Sequence, residues 1–345
     1  MKRFLLKQGW HAVRKLALLA ISLPMVCGGW APALADYYPT EGLVSYWSFG
    51  DPSDMGRDDW AENDGVNHGA TGETGIQGGC AKLDGNQDYI EIPYDSSIDV
   101  HGWSEGSVAL WFKPFSPSSG TQVLMSDVMY DESNNPDKNG IYLGVRKERD
   151  VNWSWRDGSD PDERYTGADG NLEANSWYHL ALVYTAASGA KFYLNGELVG
   201  EDYEPDDFGS AYTMNPLHFG RSQEDKYYFN GLMDEAFFYN RALSEAEIKR
   251  LYLEAFTPTE LLEQLIKTIV SLNLQEGISN ALDAKLDSAV LALDDVNENN
   301  DIAAVNSINA FINAVEAQRG NKICSEDADI LVAAAQAIID KLQSQ

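Results

Sequence analysis

The chain is 345 residues long, with 54 acidic against 25 basic residues and a formal net charge of −29. So acidic a chain will not hold nucleic acid or an anionic membrane surface by electrostatics, whereas it attracts cations and suits a calcium-rich medium. Its three cysteines form no Cys-x-x-Cys or His/Cys cluster, which argues against a zinc site, and its length predicts two domains.

The N-terminus reads as a secretion signal. Lys2, Arg3, Lys7, Arg14 and Lys15 precede an apolar run from Leu16 to Val26, and Ala33-Leu34-Ala35 fits small-x-small cleavage before Asp36. The run is shorter than the ~20 residues that cross a bilayer, which disfavours a retained anchor. No later segment is long and apolar enough to span, so the mature chain is expected outside the cell or on its surface. Cleavage after residue 35 would remove five basic and no acidic residues, taking the charge from −29 to −34. The mature chain keeps Cys80 and Cys324, for which unpaired thiols are favoured over a disulfide.

Residues 36–256 predict a β-sandwich domain. Val44-Ser-Tyr-Trp-Ser-Phe49 and Asp88-Tyr-Ile-Glu-Ile92 alternate as half-buried strands, with Asp84-Gly85 as a turn signal. Ser107–Phe112, Gly140–Val145, Val151–Trp155, Trp177–Tyr184, Lys191–Leu194 and Leu217–Gly220 are further strands. Ser188-Gly189 marks one hairpin, and Asn195-Gly196 is a strong type I′ signal leading into Leu198-Val199. A strand over Gly231–Tyr239 meets a helix whose N-cap is Ser244, with Glu247 three residues on as capping-box partner. Many short strands with regular turn punctuation argue for a sandwich.

At Thr257-Pro258 aromatics give way to Ala, Leu, Ile, Asn and Asp, and residues 257–345 predict a small α-helical bundle. Four apolar faces follow: Leu261 to Ile269, Leu282 to Leu293, Ile302 to Val315 and Ala328 to Leu342. Asp301 and Ser325 are candidate N-caps and Gly320 a candidate helix stop.

The order of motifs over residues 41–256 closely resembles LamG-like (laminin G, concanavalin A-like) domains. It runs through Gly42–Phe49, Arg57–Gly65, Gly78–Gly85, Asp88–Pro93, Trp111–Pro114, Trp177–Leu180, Phe192–Val199 and Phe229–Tyr252. The resemblance implies a mainly β fold, a jelly-roll antiparallel sandwich, often with structural calcium and often binding glycans or surface proteins. Ala310–Gly320 and Asp327–Ala335 resemble the FIMAH module, a C-terminal helical domain of secreted bacterial proteins, over about residues 260–342.

Calcium takes six to eight oxygen ligands. Asp51, Asp58, Asn63 and Asp234 would supply several if the opening loop folds beside the closing strand, as the resemblance implies. Asp234 also lies in an otherwise apolar strand, where a carboxylate needs a reason. Residues 295–306 place Asp295, Asn297 and Asn299 at the 1, 3, 5 spacing of a calcium loop but lack the glycine at six and the acid at twelve, so a helix-helix turn is favoured there. For contacts to a glycan or an extracellular surface protein, Trp153 and Trp155 share one strand face, and Tyr130, Arg221, Tyr227 and Tyr228 lie in polar loops at the rim. Trp47, Trp111 and Trp177 read as packing residues. No catalytic residues are expected: Glu-x-Asp-x-x-Glu and Gly-x-Ser-x-Gly are absent, and Asp234 and Glu235, adjacent on a regular strand, would point to opposite faces.

Overall fold

In the computed structural model the described residues are 38–100, 103–117, 119–127, 140–146, 151–156, 166–168, 171–202, 215–223, 225–294 and 301–344. The N-terminal segment read as a secretion signal, Tyr130 and residues 295–300 lie outside them.

Two antiparallel sheets face each other across one core. In chain order the strands are β1 Leu43–Trp47, β2 Val66–His68, β3 Thr71–Thr74, β4 Gly79–Asp84, β5 Tyr89–Ile92, β6 Glu105–Pro114, β7 Gln122–Ser126 and β8 Gly140–Val145. There follow β9 Val151–Arg156, β10 Thr166–Ala168, β11 Tyr178–Thr185, β12 Gly189–Leu194, β13 Glu197–Asp202, β14 Leu217–Phe219 and β15 Asn230–Tyr239. The first sheet runs β13-β12-β11-β6-β15-β4-β3 with β1 also on β15, and the second runs β10-β9-β8-β7-β14-β5-β2. The sandwich followed by helices is thus the fold found. The inter-sheet core holds Trp47, Leu83, Ile92, Leu110, Phe112, Leu143, Phe219 and Phe238.

Local signals act where they were read. Asn195 and Gly196 both take positive φ, at 54° and 77°, which the β12–β13 type I′ turn requires. Helix α1, Glu245–Glu254, starts with the expected Ser244/Glu247 capping box, and α2, Pro258–Ser271, starts with a second box formed by Thr257 and Glu260. Helices α3 Glu276–Leu293, α4 Asp301–Glu316 and α5 Ser325–Ser344 complete the bundle around Leu262, Leu286, Ile308, Phe311, Leu331 and Ile338. Ser325 is not the cap of α5: the Asp327 backbone N–H donates to Cys324 Sγ at 3.3 Å, so the exposed thiol takes that role. Cys80 is buried, and both cysteines are free.

The bundle is fastened to the sandwich without a flexible linker. Only Ala255 and Phe256 separate α1 from the Thr257 cap. Phe256 packs against the bundle core while its ring also meets Trp111 on the first sheet and Tyr252 of α1. Lys341 of α5, its side chain 9% exposed, donates to Leu253 O at 3.0 Å, Glu254 O at 3.1 Å and Glu254 Oε2 at 2.9 Å. The last turn of α1 has no basic residue of its own, so Lys341 supplies from the bundle the cation that its carbonyls favour. Lys341→Met keeps most of the stem but removes the donor to the Leu253 and Glu254 carbonyls and leaves the nearly buried Glu254 carboxylate to the more distant Arg250, at 3.7 Å. We expect a loss on the order of 3 kcal/mol in a urea melt, and a loss near zero would show that the junction does not couple the two parts.

Candidate functional site

Two polar constellations lie on opposite sides of the sandwich. The first surrounds the opening loop and the closing strand. Asp58, 5% exposed, accepts the backbone N–H groups of Tyr46, Trp60 and Ala61 on Oδ1 and of Asn63 on Oδ2, at 2.9–3.2 Å. Asn63 donates to Ser45 Oγ at 2.7 Å and Ser97 Oγ at 3.0 Å, and its carbonyl accepts Trp47 Nε1 at 3.0 Å. Asp51 caps a turn through the N–H and hydroxyl of Ser53, bonds that hold its carboxyl below its usual range. Arg57 joins Asp51, at 3.6 Å, to Asp59.

Asp234 stands apart from that loop. β15 pairs with β4 through Asn230–Met233 and with β1 through Ala236–Tyr239, and changes partner at Asp234–Glu235. There the ladder to β6 steps from Asp234↔Trp111 to Phe237↔Ala109, three residues against two, with Glu235 at φ 49°. This is a β-bulge, and it breaks the two-residue alternation. Met233, Ala236 and Phe238 face the core between the sheets, whereas Phe237 and Tyr239 face the layer under α1. Asp234 and Glu235 both fall on that outer side, which corrects the expectation that they point to opposite faces.

Glu235, 4% exposed, accepts Tyr38 Oη at 3.0 Å and Tyr46 Oη at 2.8 and 2.9 Å. Asp234, fully buried, accepts the N–H groups of Ile76 and Gln77 on Oδ2, while Oδ1 has no partner. Burial raises the pKa of both acids. The charge of Glu235 raises Asp234 further, while the tyrosine hydroxyls pull Glu235 back down. A Cβ on Gly75 would lie 2.2 Å from Asp234 Oδ2, so only glycine lets this turn close over the carboxyl.

As a calcium cage the four sequence-predicted residues do not fit. Asp58 and Asn63 share a loop, but their oxygens are committed to backbone and hydroxyl donors. Asp51 caps its own turn, and Asp234 sits under the 75–78 turn. Among the described residues no group of three or more His, Cys, Asp or Glu side chains is gathered for a metal ion.

The second constellation lies on the outer face of the second sheet. Register sets Val66 opposite Glu91, His68 opposite Tyr89, and Glu91 opposite His218. The His68 and Tyr89 rings stack at 4.3 Å, and the Arg221 guanidinium lies over Tyr89 at 3.6 Å. Tyr89 is therefore sandwiched between a ring and a cation. His218 Nε2 is 3.2 Å from both Glu91 Oε2 and Arg221 Nη2. A neutral imidazole nitrogen cannot both donate to the carboxylate and accept from the guanidinium, so the two contacts compete. Burial lowers the His218 pKa to about 4, with Arg221 adding to the effect. Arg221 also pairs with Asp225. His218 Nδ1, Arg221 Nε and His68 Nε2 are buried without a protein partner.

Of the ligand-contact candidates, Arg221 enters this cluster, 8% exposed. Tyr227 is exposed and Tyr228 half-buried on the following loop, where Tyr227 O accepts Val123 N at 2.7 Å. The β8–β9 ladder sets Trp153 opposite Leu143 and Trp155 opposite Ile141, both core residues; the tryptophan side chains lie outside the described part. Trp47 and Trp111 are buried as expected, Trp111 against Tyr252 of α1 rather than between the sheets. Sequence reasoning missed His68, Tyr89, Glu91 and His218. Their one signal was the polar half of the β5 alternation, Tyr89-x-Glu91.

The chain is thus an antiparallel two-sheet sandwich followed by a helical bundle. Residues 84–249 match the Laminin_G_3 family model, the concanavalin A-like lectin/glucanases superfamily. No curated protein matches the chain. Among solved structures, the receptor binding domain of botulinum neurotoxin C/D mosaic serotype is similar at a TM-score of 0.50 and 15% identity, over 61% of this chain and 51% of that one. Domain 4 of AbnA, a GH43 extracellular arabinanase from Geobacillus stearothermophilus, in complex with arabinotriose, matches at 0.47 and 19% identity, over 61% and 98%. The botulinum neurotoxin serotype D ligand binding domain in complex with N-acetylneuraminic acid matches at 0.47 and 15% identity, over 61% and 50%. The chain spans about half the length of these toxin domains, and at such identities the likeness is one of fold. Among the described residues no helix is long and apolar enough to cross a membrane.

Proposed function

We propose that this chain is a secreted, non-catalytic binding protein whose sandwich recognises carbohydrate. The observation that carries this reading is the polar, aromatic-bearing outer face of the second sheet, within a region matching a lectin/glucanase superfamily. Planar groups beside a guanidinium and a carboxylate are the chemistry that hydroxyl-rich, partly apolar sugars need. Against an enzyme, the neighbouring acids of the closing strand, Asp234 and Glu235, are sealed under the 75–78 turn and the Tyr38 and Tyr46 rings, where no glycosidic bond can reach them. Residues 257–345, read as FIMAH-like on sequence resemblance, would hold the sandwich in place on a larger surface. The carbohydrate reading does not depend on the calcium site expected from the sequence.

A glycan array probed with the mature chain tests the proposal. Binding to a related set of sugars is expected. A flat array would favour the rival reading, an adhesive surface protein with a protein ligand. Turnover of a polysaccharide would restore the enzyme reading.

A further inference from the structure

We propose that the sugar docks on the outer face of the second sheet, across the β2–β5–β14 edge, and that this surface selects neutral sugars over acidic ones. This rests on the carbohydrate-binding reading above and adds to it a face and a ligand class.

The first sheet does not offer its central outer face. Tyr38, Leu43, Tyr46, Ala109, Val183, Phe237 and Tyr239 there are buried with Leu243, Ile248 and Leu251 of the α1 segment. Trp111 stacks on Tyr252, and the bundle is locked behind α1 by Phe256 and Lys341. A ligand reaching that surface would have to displace a helix and the bundle fastened to it.

The second sheet is covered over its centre, with Ser126, His218 and Tyr142 at most 4% exposed, but its β2–β5 edge is open. Val66, 51% exposed, sits beside Glu91, whose side chain is 33% exposed. An apolar patch next to an exposed acceptor matches a pyranose or furanose, which has a C–H face and a hydroxyl rim. Behind them His218 and Arg221 are more than nine-tenths buried, yet each keeps a ring or guanidinium nitrogen without a protein partner. A buried polar atom left unmet is costly enough to need an explanation. A hydroxyl, or a water it orders, would satisfy these nitrogens, and a C–H group would not.

Charge sets the ligand class. Arg221 already faces two carboxylates, Glu91 at 3.8 Å and Asp225. The imidazole between them carries no charge at neutral pH, so the cluster is net acidic, on a chain of net charge −29. A sialic or uronic acid carboxylate would meet like charge here, which costs affinity and on-rate. A neutral pentose or hexose meets donors and acceptors in balance.

The test is calorimetric titration of the full mature chain with neutral pentose and hexose oligosaccharides and with sialylated and uronate-bearing ones, for wild type, Glu91→Gln, Val66→Ser and Lys82→Ala. Lys82 lies on the first sheet, paired with Glu73. Neutral sugars are expected to bind wild type and Lys82→Ala alike and to weaken about tenfold with Glu91→Gln and Val66→Ser, a difference of about 1.4 kcal/mol, at unchanged melting temperature. Undiminished binding in both second-sheet variants, a loss in Lys82→Ala, or a wild-type preference for acidic sugars overturns the assignment while leaving the carbohydrate reading intact. Failure of wild type to bind any sugar removes that reading and this inference with it.

Discussion

Replacing Asp58 by alanine is expected to destabilise the sandwich by roughly 3–5 kcal/mol, to the same extent in calcium and in EDTA. One buried carboxylate terminates four backbone N–H groups, from Tyr46, Trp60, Ala61 and Asn63. Leaving a buried donor unmet costs about 1–3 kcal/mol each, and water entering the opened loop would recover part of that. The loop also seats the Asn63 carbonyl on Trp47 Nε1, so its loss reaches a fully buried core residue. Asp58→Asn keeps one acceptor oxygen and should lose about half as much. The measurement is a chemical melt with and without calcium. If wild type is strongly stabilised by calcium and Asp58→Ala loses that increment, the carboxylate is a metal ligand and the loop-organiser account fails.

Above the ordinary carboxylate range, stability should fall as pH rises, because Asp234 and Glu235 hold protons in the fold that the unfolded chain releases. Burial is the largest cause for each, and the charge of Glu235 adds to it at Asp234. A carboxyl with a raised folded pKa contributes stability that is complete below its unfolded value, near pH 4, and is lost as pH climbs through the folded value. Each unit by which the pKa is raised contributes about 1.4 kcal/mol. Asp59 adds negative charge at Glu235, which reinforces the direction.

Glu247 works the other way. The Arg241 guanidinium holds it down at about 2, so its contribution is present above its unfolded pKa and is lost as pH falls toward 2. The acid limb of the stability profile therefore belongs to groups such as Glu247, and the alkaline limb to the bulge pair. Melting temperature should be lower at pH 9 than at pH 6, and Asp234→Asn with Glu235→Gln should flatten that slope. An unchanged slope in the double variant would mean that the pair carries no extra protons in the native state.

Much of the architecture was legible before any coordinates. Ser244 and Glu247, Thr257 and the following proline, and Asn195-Gly196 act through hydrogen bonds and φ preferences within a few residues, so the local sequence states them in full. Strand alternation in Asp88–Ile92 and helical periodicity in the C-terminal region are likewise one-dimensional patterns, and they predicted the core faces except at Ile302, which the first turn of its helix leaves 78% exposed. The exposed β2 and β3, and β7, which is buried throughout, carry no such alternation and were not predicted.

The sites depended on what the chain alone does not encode in its order. A single extra residue against β6 turns Asp234 and Glu235 onto one buried face, and that residue is visible only once two strands are paired. His68, Tyr89, Glu91, His218 and Arg221 come from three strands and a loop up to 153 positions apart, and only the second sheet's register stacks them. The acids of the opening loop were read as metal ligands from their type, whereas the folded loop commits them to its own N–H groups. By itself the sequence determined the short-range elements, the two-part organisation and the sandwich, because caps, turns and periodic burial are local. Tertiary structure decided which carboxylates lie together, which face α1 and the bundle close, and which sheet edge keeps exposed residues, because sheet register and long-range packing are properties of partners rather than of neighbours.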